Sequence, residues 1–512
     1  MNVTMLLDMA ADGFPDRCVV GRRELGLTAA RLRELVGGGA GLLRARSASA
    51  LVYLAVNGPA FPVALFAAAR AGIPLVPVSY RLGDAQLQGL LARHPGALVV
   101  TDEGHAEAVV RAGLVAMSPA EWLERAAAAG ADADADAGDG DEGDDGAEGV
   151  PAVIIYTSGT TAAPKGVLLR HDNLVSYVIN STEFAGAGED EAALMSVPPY
   201  HIAAVSNVLT NLYAGRRFIV LENFTPAQWL AEVRAEEVTN AMVVPTMLAR
   251  IMELPRAELA VPSLRTLAYG GARMPEKVIE QALVTWPDVD FVNAYGLTET
   301  SSTITVLGPE DHRAALASAD PAVRARLRSV GTVVPAIELE IRDEGGALVA
   351  PGESGRVWVR GEQVSGKYAG GASSVDESGF FDTRDRGHLD SEGYLFLEGR
   401  VDDTIIRGAE NIAPAEIEEV LLSHPAVADA VVVGVPDDEW GQRIEAVVVP
   451  AAGHSGLSGE PGIDTAALRE YVRARLRGSR TPAQVTCWPE LPRTVTGKIL
   501  RRQVVSDLVK GP

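Results

Sequence analysis

Cysteine is nearly absent from this sequence. Among 512 residues there are two, Cys18 and Cys487, near opposite ends and outside any CxxC or Cys/His cluster. Their scarcity excludes a disulfide framework and a structural zinc site, and it fits a reducing cytoplasm. Basic residues are also in deficit, 45 Lys and Arg against 68 Asp and Glu, for a net charge of −23. A surface of that sign repels nucleic acid and anionic lipid, so neither is expected as a partner. Long apolar runs are missing too. No stretch reaches the roughly 18 uninterrupted apolar residues of a membrane span. The nearest attempt, Ala50 to Gly72, is broken by Asn57, Gly58, Pro59 and Arg70. The opening MNVTMLLDMAADGFPDR lacks the basic start, long apolar core and small-residue cleavage site of a secretory leader.

What is present describes a folded chain of more than one domain. Hydrophobic residues make up 47% and charged residues 22%, a balance unlike that of disordered proteins, and the length exceeds one ordinary domain. Ala131 to Gly149 holds nine acidic residues and no basic one, the composition of a solvated flexible insert. Up to that run, helical periodicity at Ala29 to Leu43 and Pro62 to Ala71 alternates with strand-like Ala50 to Val56, Ile73 to Val78 and Ala97 to Thr101. This is the rhythm of a parallel sheet with helices on its faces. It resumes through Ala192 to Val197, Arg217 to Leu221, Asn240 to Val244, Thr266 to Tyr269 and Asp290 to Ala294. Beyond Pro309 the pattern turns β-rich, with short strands at Glu338 to Arg342, Arg356 to Gly361 and Tyr394 to Leu397. A compact α+β unit of helix, two strands and helix follows from Pro414.

The chemistry concentrates first in AVIIYTSGTTAAPKGVLLRH, Ala152 to His171. A buried-strand pattern delivers Thr157, Ser158, Gly159, Thr160 and Thr161, with Lys165 and Gly166 just beyond. Hydroxyls, a glycine that admits close backbone approach and an ammonium suit a polyphosphate. The GxxxxGK[ST] spacing of the common phosphate loop does not fit around Lys165. Farther on, the strand at Thr266 ends in Gly270, Gly271 and Ala272, where a flat ring can approach backbone. The strand at Asp290 runs through Asn293 into Tyr295, Gly296, Leu297, Thr298, Glu299 and Thr300. Tyrosine can lie on a purine, threonine can donate to a phosphate oxygen, and glutamate can hold Mg²⁺. Both turns stand at carboxyl ends of strands, where ligands gather in open α/β sheets. His201, after a proline-rich turn at the head of the apolar segment Ile202 to Leu212, is a candidate pocket residue.

Five stretches in one order, YTSGTTAAPKG, YGLTET, TRD, GRVDD and PRTVTGK, resemble the motifs of the adenylate-forming superfamily of acyl-CoA synthetases, carrier-loading adenylation domains and firefly-type luciferases. RGAENIAPAEIEE and PPYHIA are most similar to those of its fatty-acyl and aryl acid-CoA ligases. The resemblance implies an α/β fold: a large N-terminal domain, residues 1–401, of parallel-type sheets layered with helices and a β-rich subdomain at about 330–400, then a small mobile α+β domain, 402–512. It implies ATP, Mg²⁺ and CoA as co-substrates and cofactor, with a small-molecule carboxylic acid that becomes an acyl-AMP as pyrophosphate leaves. CoA then captures the acyl group; a carrier-protein thiol is the alternative acceptor.

By the same resemblance, Thr157, Ser158, Gly159, Thr160, Thr161 and Lys165 hold the β- and γ-phosphates. Tyr295 stacks on adenine beside Gly271 and Ala272, Asn293 and Gly296 also bind ATP or AMP, Thr298 meets the α-phosphate, Glu299 carries Mg²⁺, and Asp385 with Arg400 holds the ribose. Lys498 acts in adenylation, His201 lies near the acid, Asp402 is the hinge, and Gly408 and Ala409 flank CoA. Two positions depart from the family pattern: Arg384 and Ala409 each stand where it has glycine. A nucleotide-binding protein without turnover is the reading from another class; the presence of Lys498, Glu299 and Asp385 argues against it.

Overall fold

The structure is a computed structural model. It describes residues 1–133, 149–157, 164–371, 373–407, 410–437, 440–451, 463–476, 478–494 and 497–510. Most of the acidic run, and Ser158, Gly159, Thr160, Thr161, Gly408 and Ala409, lie outside the described residues.

The α/β expectation holds. A nine-stranded sheet and a six-stranded sheet carry the alternating half of the chain. In the first, Cys18–Val20, Arg217–Val220, Ala192–Met195, Asn240–Val243, Thr266–Gly270 and Asp290–Leu297 run parallel in that spatial order. Antiparallel strands close both edges. In the second, Val115–Met117, Leu98–Thr101, Leu51–Leu54, Leu75–Pro77 and Val153–Thr157 are parallel. Their sequences are continuously apolar because both faces are covered. Leu51 and Tyr53 join one hydrophobic cluster and Val52 and Leu54 another. The first cluster also takes Leu32, Phe61 and Phe66 from helices and Leu194 and Phe218 from the nine-stranded sheet. One helical layer therefore packs between the two sheets and fixes their strand ends relative to each other.

The segment after Pro309 differs from its β-rich expectation. Pro309–Ala317 and Pro321–Ala325 are helices, each with proline in its first turn, where the missing N–H costs nothing. Only then comes a four-stranded antiparallel sheet, Glu338–Arg342, Gly355–Arg360, Phe381–Leu389 and Leu395–Arg400. Phe381–Leu389 escapes a sequence reading because its alternation is carried by Thr383, Asp385 and Gly387 as well as Phe381 on the buried face.

In the last unit, Val427–Asp437 and Gly441–Pro450 form a long hairpin that Gln484–Cys487 joins in parallel. Val432, Ala446 and Val448 pack on one side with Ile417, Leu421 and Leu468. Val431, Val433 and Val447 face Val504 of the final helix on the other. Period-two burial on both faces explains why this stretch is so valine-rich.

Candidate active site

Lys165 and Gly166, taken from the sequence as the tail of a loop, begin a strand. Lys165–Leu169 pairs antiparallel with Val153–Thr157, so the hydroxyl-rich run joins two strands of a hairpin. The hairpin has a third partner: Ala369 N–H donates to Gly166 O at 2.7 Å, and Leu168 N–H donates to Lys367 O at 3.0 Å. That pairing brings in Tyr368, a residue outside every motif. Its hydroxyl donates to Glu299 Oε1 at 3.0 Å, and Lys165 Nζ lies 5.7 Å from its ring centroid. Burial, and then the Glu299 charge, push the Tyr368 pKa up, so the phenol stays a donor. Tyr368 thus links the lysine of the hairpin to the candidate Mg²⁺ carboxylate.

Glycine is required by geometry at the turns where adenine is expected. A Cβ on Gly270 would meet Ala294 O at 2.3 Å, and one on Gly296 would meet Ser302 O at 1.8 Å. Gly271 has φ +81°, a conformation that glycine adopts without strain. The backbone beyond is unusual for non-glycine residues, with φ 57° at Ser301 and 135° at Ser302. Asn293 is buried, and its Nδ2 donates to Ser329 O at 3.1 Å. Its amide nitrogen is therefore engaged within the protein. Thr298 and Glu299 open a short 3₁₀ turn.

The four-stranded sheet contributes Asp385, opposite Arg400 in register. Asp385 is 7% exposed. Tyr295 donates its hydroxyl to Asp385 Oδ2 at 2.5 Å, and Arg400 Nη1 lies 3.6 Å from Oδ1. Burial raises the Asp385 pKa against the opposing pull of Arg400, the Tyr295 hydrogen bond and Lys498. Tyr295 is therefore tied to Asp385 by its hydroxyl, which leaves the ring as the part available for stacking. One hydrogen bond and one ion pair leave the carboxylate further lone pairs for ribose hydroxyls. The arginine in TRD adopts a glycine-type backbone conformation: Arg384 sits at φ 61°, the left-handed region that a glycine would favour, at a cost of about 1 kcal/mol. Its guanidinium lies 3.6 Å from Asp402, the candidate hinge residue.

Lys498 reaches this cluster from the C-terminal unit. The segment around it is a tight turn: Thr494 N–H donates to Lys498 O at 2.7 Å, and Lys498 N–H donates to Thr494 Oγ1 at 3.0 Å. Although Lys498 keeps solvent access, desolvation and then Arg400 lower its pKa, opposed by Asp403 and Asp385. Gly497 abuts the N-terminal region so closely that a Cβ would lie 2.7 Å from Thr246 Oγ1. Arg273 Nη2 donates to Glu419 Oε2 at 2.8 Å, and Arg328 pairs with the same carboxylate. These contacts hold the lysine turn over the strand ends.

His201 has a defined local task. Its Nδ1 accepts from Ala203 N–H at 3.1 Å, capping the helix Ile202–Ala214, and burial pushes its pKa down to about 4. A neutral imidazole that accepts on Nδ1 carries its proton on Nε2, a donor for a carboxylate. It does not line the neighbouring cavity. That cavity, about 380 Å³, lies between the same helix and the nine-stranded sheet, with Ser206, Asn207, Asn211, Asn240, Met242 and Ser302 in its wall. Ser301, beside Ser302, is not part of that wall; it is buried and donates to Gln363 O at 2.8 Å.

The donor chemistry at Glu299 fits Mg²⁺. A carboxylate is a hard oxygen ligand, and Tyr368 occupies only one of its oxygens. Among the described residues no group of three His, Cys, Asp or Glu could hold a metal ion, as suits a cation that takes most of its ligands from phosphates and water. Among the described residues no helix is long and apolar enough to cross a membrane.

Comparison with known proteins places this arrangement. The sequence model described as AMP-binding enzyme matches residues 7–369, and the one described as AMP-binding enzyme C-terminal domain matches 416–498. A feruloyl-CoA synthase from Amycolatopsis sp is 35% identical over 494 residues, 93% of each chain. A fatty acid–[acyl-carrier-protein] ligase from Streptomyces coeruleorubidus is 30% identical over 469 residues, 89% of this chain and 86% of that one. The solved o-succinylbenzoate CoA synthetase from Bacillus subtilis, in complex with its acyl-adenylate intermediate, superposes with a TM-score of 0.79 at 27% identity, covering 98% of this chain and 97% of that one.

Proposed function

This chain belongs to the AMP-binding enzyme family, and on that premise we propose that it is an ATP-dependent carboxylic acid-CoA ligase. A carboxylate oxygen of the acid attacks the α-phosphorus of ATP, and the bond to the pyrophosphate oxygen breaks. The CoA sulfur then attacks the acyl carbon, its proton passes to solvent, and AMP leaves. The carboxylate is already ionised, so the first step calls for alignment and charge neutralisation rather than a strong base.

Each residue has a task in that scheme. Thr157 and Lys165, with Ser158, Gly159, Thr160 and Thr161, receive the β- and γ-phosphates. Gly271, Ala272, Asn293 and Gly296 frame the adenine on which Tyr295 stacks. Thr298 donates to the α-phosphate, and Glu299 holds Mg²⁺, which neutralises phosphate charge when bound. Asp385 accepts from the ribose with Arg400 beside it, and His201 Nε2–H faces the acid's carboxylate. After adenylation the C-terminal domain turns about Asp402, withdrawing Lys498 and bringing Gly408 and Ala409 to the pantetheine arm. The need for ATP and CoA supports a cytoplasmic setting.

The observation that carries this reading is the seating of the lysine turn against the N-terminal region, where a Cβ on Gly497 would lie 2.7 Å from Thr246 Oγ1, with Lys498 sharing the charged surroundings of Asp385 and Arg400. An ammonium there neutralises charge as it builds between the carboxylate and the α-phosphate. The test is pyrophosphate release with Mg·ATP over aliphatic and aromatic acids, with and without CoA, products identified by mass. Acid-dependent acyl-CoA is the expected result. Pyrophosphate and acyl-AMP without acyl-CoA would transfer the second step to a carrier-protein thiol, the acceptor named for the Streptomyces relative.

A further inference from the structure

The cavity under the helix Ile202–Ala214 has an unexpected wall. The helix is buried and mostly apolar, with Val205, Val208, Leu209 and Leu212 in the core. Such a helix ordinarily turns its apolar stripe to the sheet. Here Ser206, Asn207, Thr210 and Asn211 share one face and line the cavity. Opposite them the sheet sets the polar Asn240 and Thr266 and the small Ala268 among apolar Leu194, Met242 and Val292.

The polar groups are arranged by depth. Parallel strands place Gly270 and Tyr295 at their carboxyl ends, where ATP is expected. Asn240 and Thr266 stand side by side at the opposite ends of their strands. Three residues separate Asn240 from Val243, roughly 10 Å along a strand. The helix runs from Ile202, capped by His201, to Ala214, close to Arg216, so Asn211 and Arg216 also lie deep. An acid whose carboxylate meets the nucleotide must therefore send its remote end toward these residues.

A chain of contacts holds that end. Asn207 Nδ2 donates to Ala203 O at 2.7 Å, and Asn211 Nδ2 donates to Asn207 O at 2.8 Å. Arg216 Nη1 donates to Asn211 Oδ1 at 3.3 Å, while its Nε donates to Glu191 Oε2 at 2.9 Å. Glu191 balances the arginine, so the floor carries no unmatched positive charge that would call for a second carboxylate. Unmatched hydrogen-bonding capacity remains. Asn240 Oδ1 lies 2.8 Å from Thr239 Oγ1, whose single proton also faces Ala192 O at 3.0 Å, and Asn207 Oδ1 has only a 3.5 Å contact from Asn211. A hydrocarbon tail would dehydrate both without replacing their water, which is unfavourable.

We propose that the acid activated by this enzyme carries a neutral hydrogen-bonding group, a hydroxyl or a primary amide, at the end remote from its carboxylate, and that Asn240 and Asn207 recognise it. This rests on the ligase reading above. Asn211, held by Arg216, positions Asn207.

The test uses 3-phenylpropenoic acid with its 4-hydroxy and 4-methyl derivatives, and octanoic with 8-hydroxyoctanoic acid, reading acyl-CoA formation with Mg·ATP and CoA. The hydroxylated member of each set that fits should exceed its methyl or unsubstituted counterpart by roughly 10- to 100-fold in kcat/KM, mostly through KM. Asn240→Leu should remove that preference, so that the hydroxylated acid and its unsubstituted counterpart give equal kcat/KM. Asn240→Gln, which keeps the amide, should retain part of it, so a folding defect is told apart from lost recognition. Acyl-CoA formed equally well or better from unsubstituted and methylated acids would overturn the proposal and leave the ligase reading standing. A preference that survives Asn240→Leu and Asn207→Leu would overturn the assignment of these residues. No acyl-CoA from any acid would instead count against the ligase reading.

Discussion

Gly497→Ala tests whether the observed domain arrangement is the one that adenylates. In this arrangement the new methyl would stand 2.7 Å from Thr246 Oγ1 and 3.2 Å from its Cγ2. Thr246 opens a helix anchored in the main core, Pro245–Met252, so the lysine turn must move instead. Overpacking of this kind costs about 1–3 kcal/mol, or roughly 5- to 150-fold in a step that needs the contact. Gly497 also has φ +79°, which adds about 1 kcal/mol of strain for alanine. That strain is internal to the turn and present whichever way the domain faces. Pyrophosphate exchange into ATP reads adenylation, and thioester formation from supplied acyl-AMP reads the second step. Exchange should fall by the stated factor with thioester formation largely kept. Adding Thr246→Ala removes Oγ1 and Cγ2 and should restore most of the loss, because the remaining Cβ would be 3.5 Å away. Equal loss in both half-reactions, or no rescue, would refute the argument.

Three other outcomes follow from the site. Lys498→Ala should reduce exchange by about 10²- to 10³-fold, corresponding to roughly 3–4 kcal/mol, and spare thioester formation from acyl-AMP; equal loss of both steps would remove Lys498 from its role. Tyr368→Phe deletes the 3.0 Å bond to Glu299, worth about 1 kcal/mol net, and should raise the Mg²⁺ concentration needed for half-maximal pyrophosphate release about fivefold with the maximum rate changed less. Stability should fall with acidification between pH 6.5 and about 4, where His201 and His171 are neutral in the folded chain and charged once unfolded. The unfolded state binds more protons in that window, so urea midpoints should drop as pH falls, by up to about 3 kcal/mol for His201; a midpoint flat across the window in wild type, or unchanged slope in His201→Asn, would contradict the assignment.

The parts of this protein legible in its sequence are those built from local pattern. Continuous apolar runs such as Val153 to Tyr156 mark strands covered on both faces, and Gly270 and Gly296 announce close approaches that no side chain can occupy. What stays hidden is made by residues distant in sequence. Tyr368 matters because a strand pairing carries it to Glu299, 69 residues away, and nothing in its neighbours marks that fate. Asp385 was found through its motif but not its strand, since a buried row of Thr383, Asp385 and Gly387 has no hydrophobic alternation.

The role of Arg384 shows how such a substitution can leave a site intact. From the sequence, an arginine in place of glycine threatens the turn that presents Asp385, because a left-handed residue with a Cβ is strained. In the structure the turn is over-determined. Arg384 N–H donates to Asp382 Oδ1 at 2.9 Å, and Asp385 N–H donates to Thr383 Oγ1 at 3.1 Å. Asp385 is fixed besides by Tyr295 and Arg400. About 1 kcal/mol of strain at one residue is small against these three hydrogen bonds, each worth about 1 kcal/mol. The backbone therefore follows the hydrogen bonds rather than the side chain, and the arginine's extra reach goes outward, to Asp402.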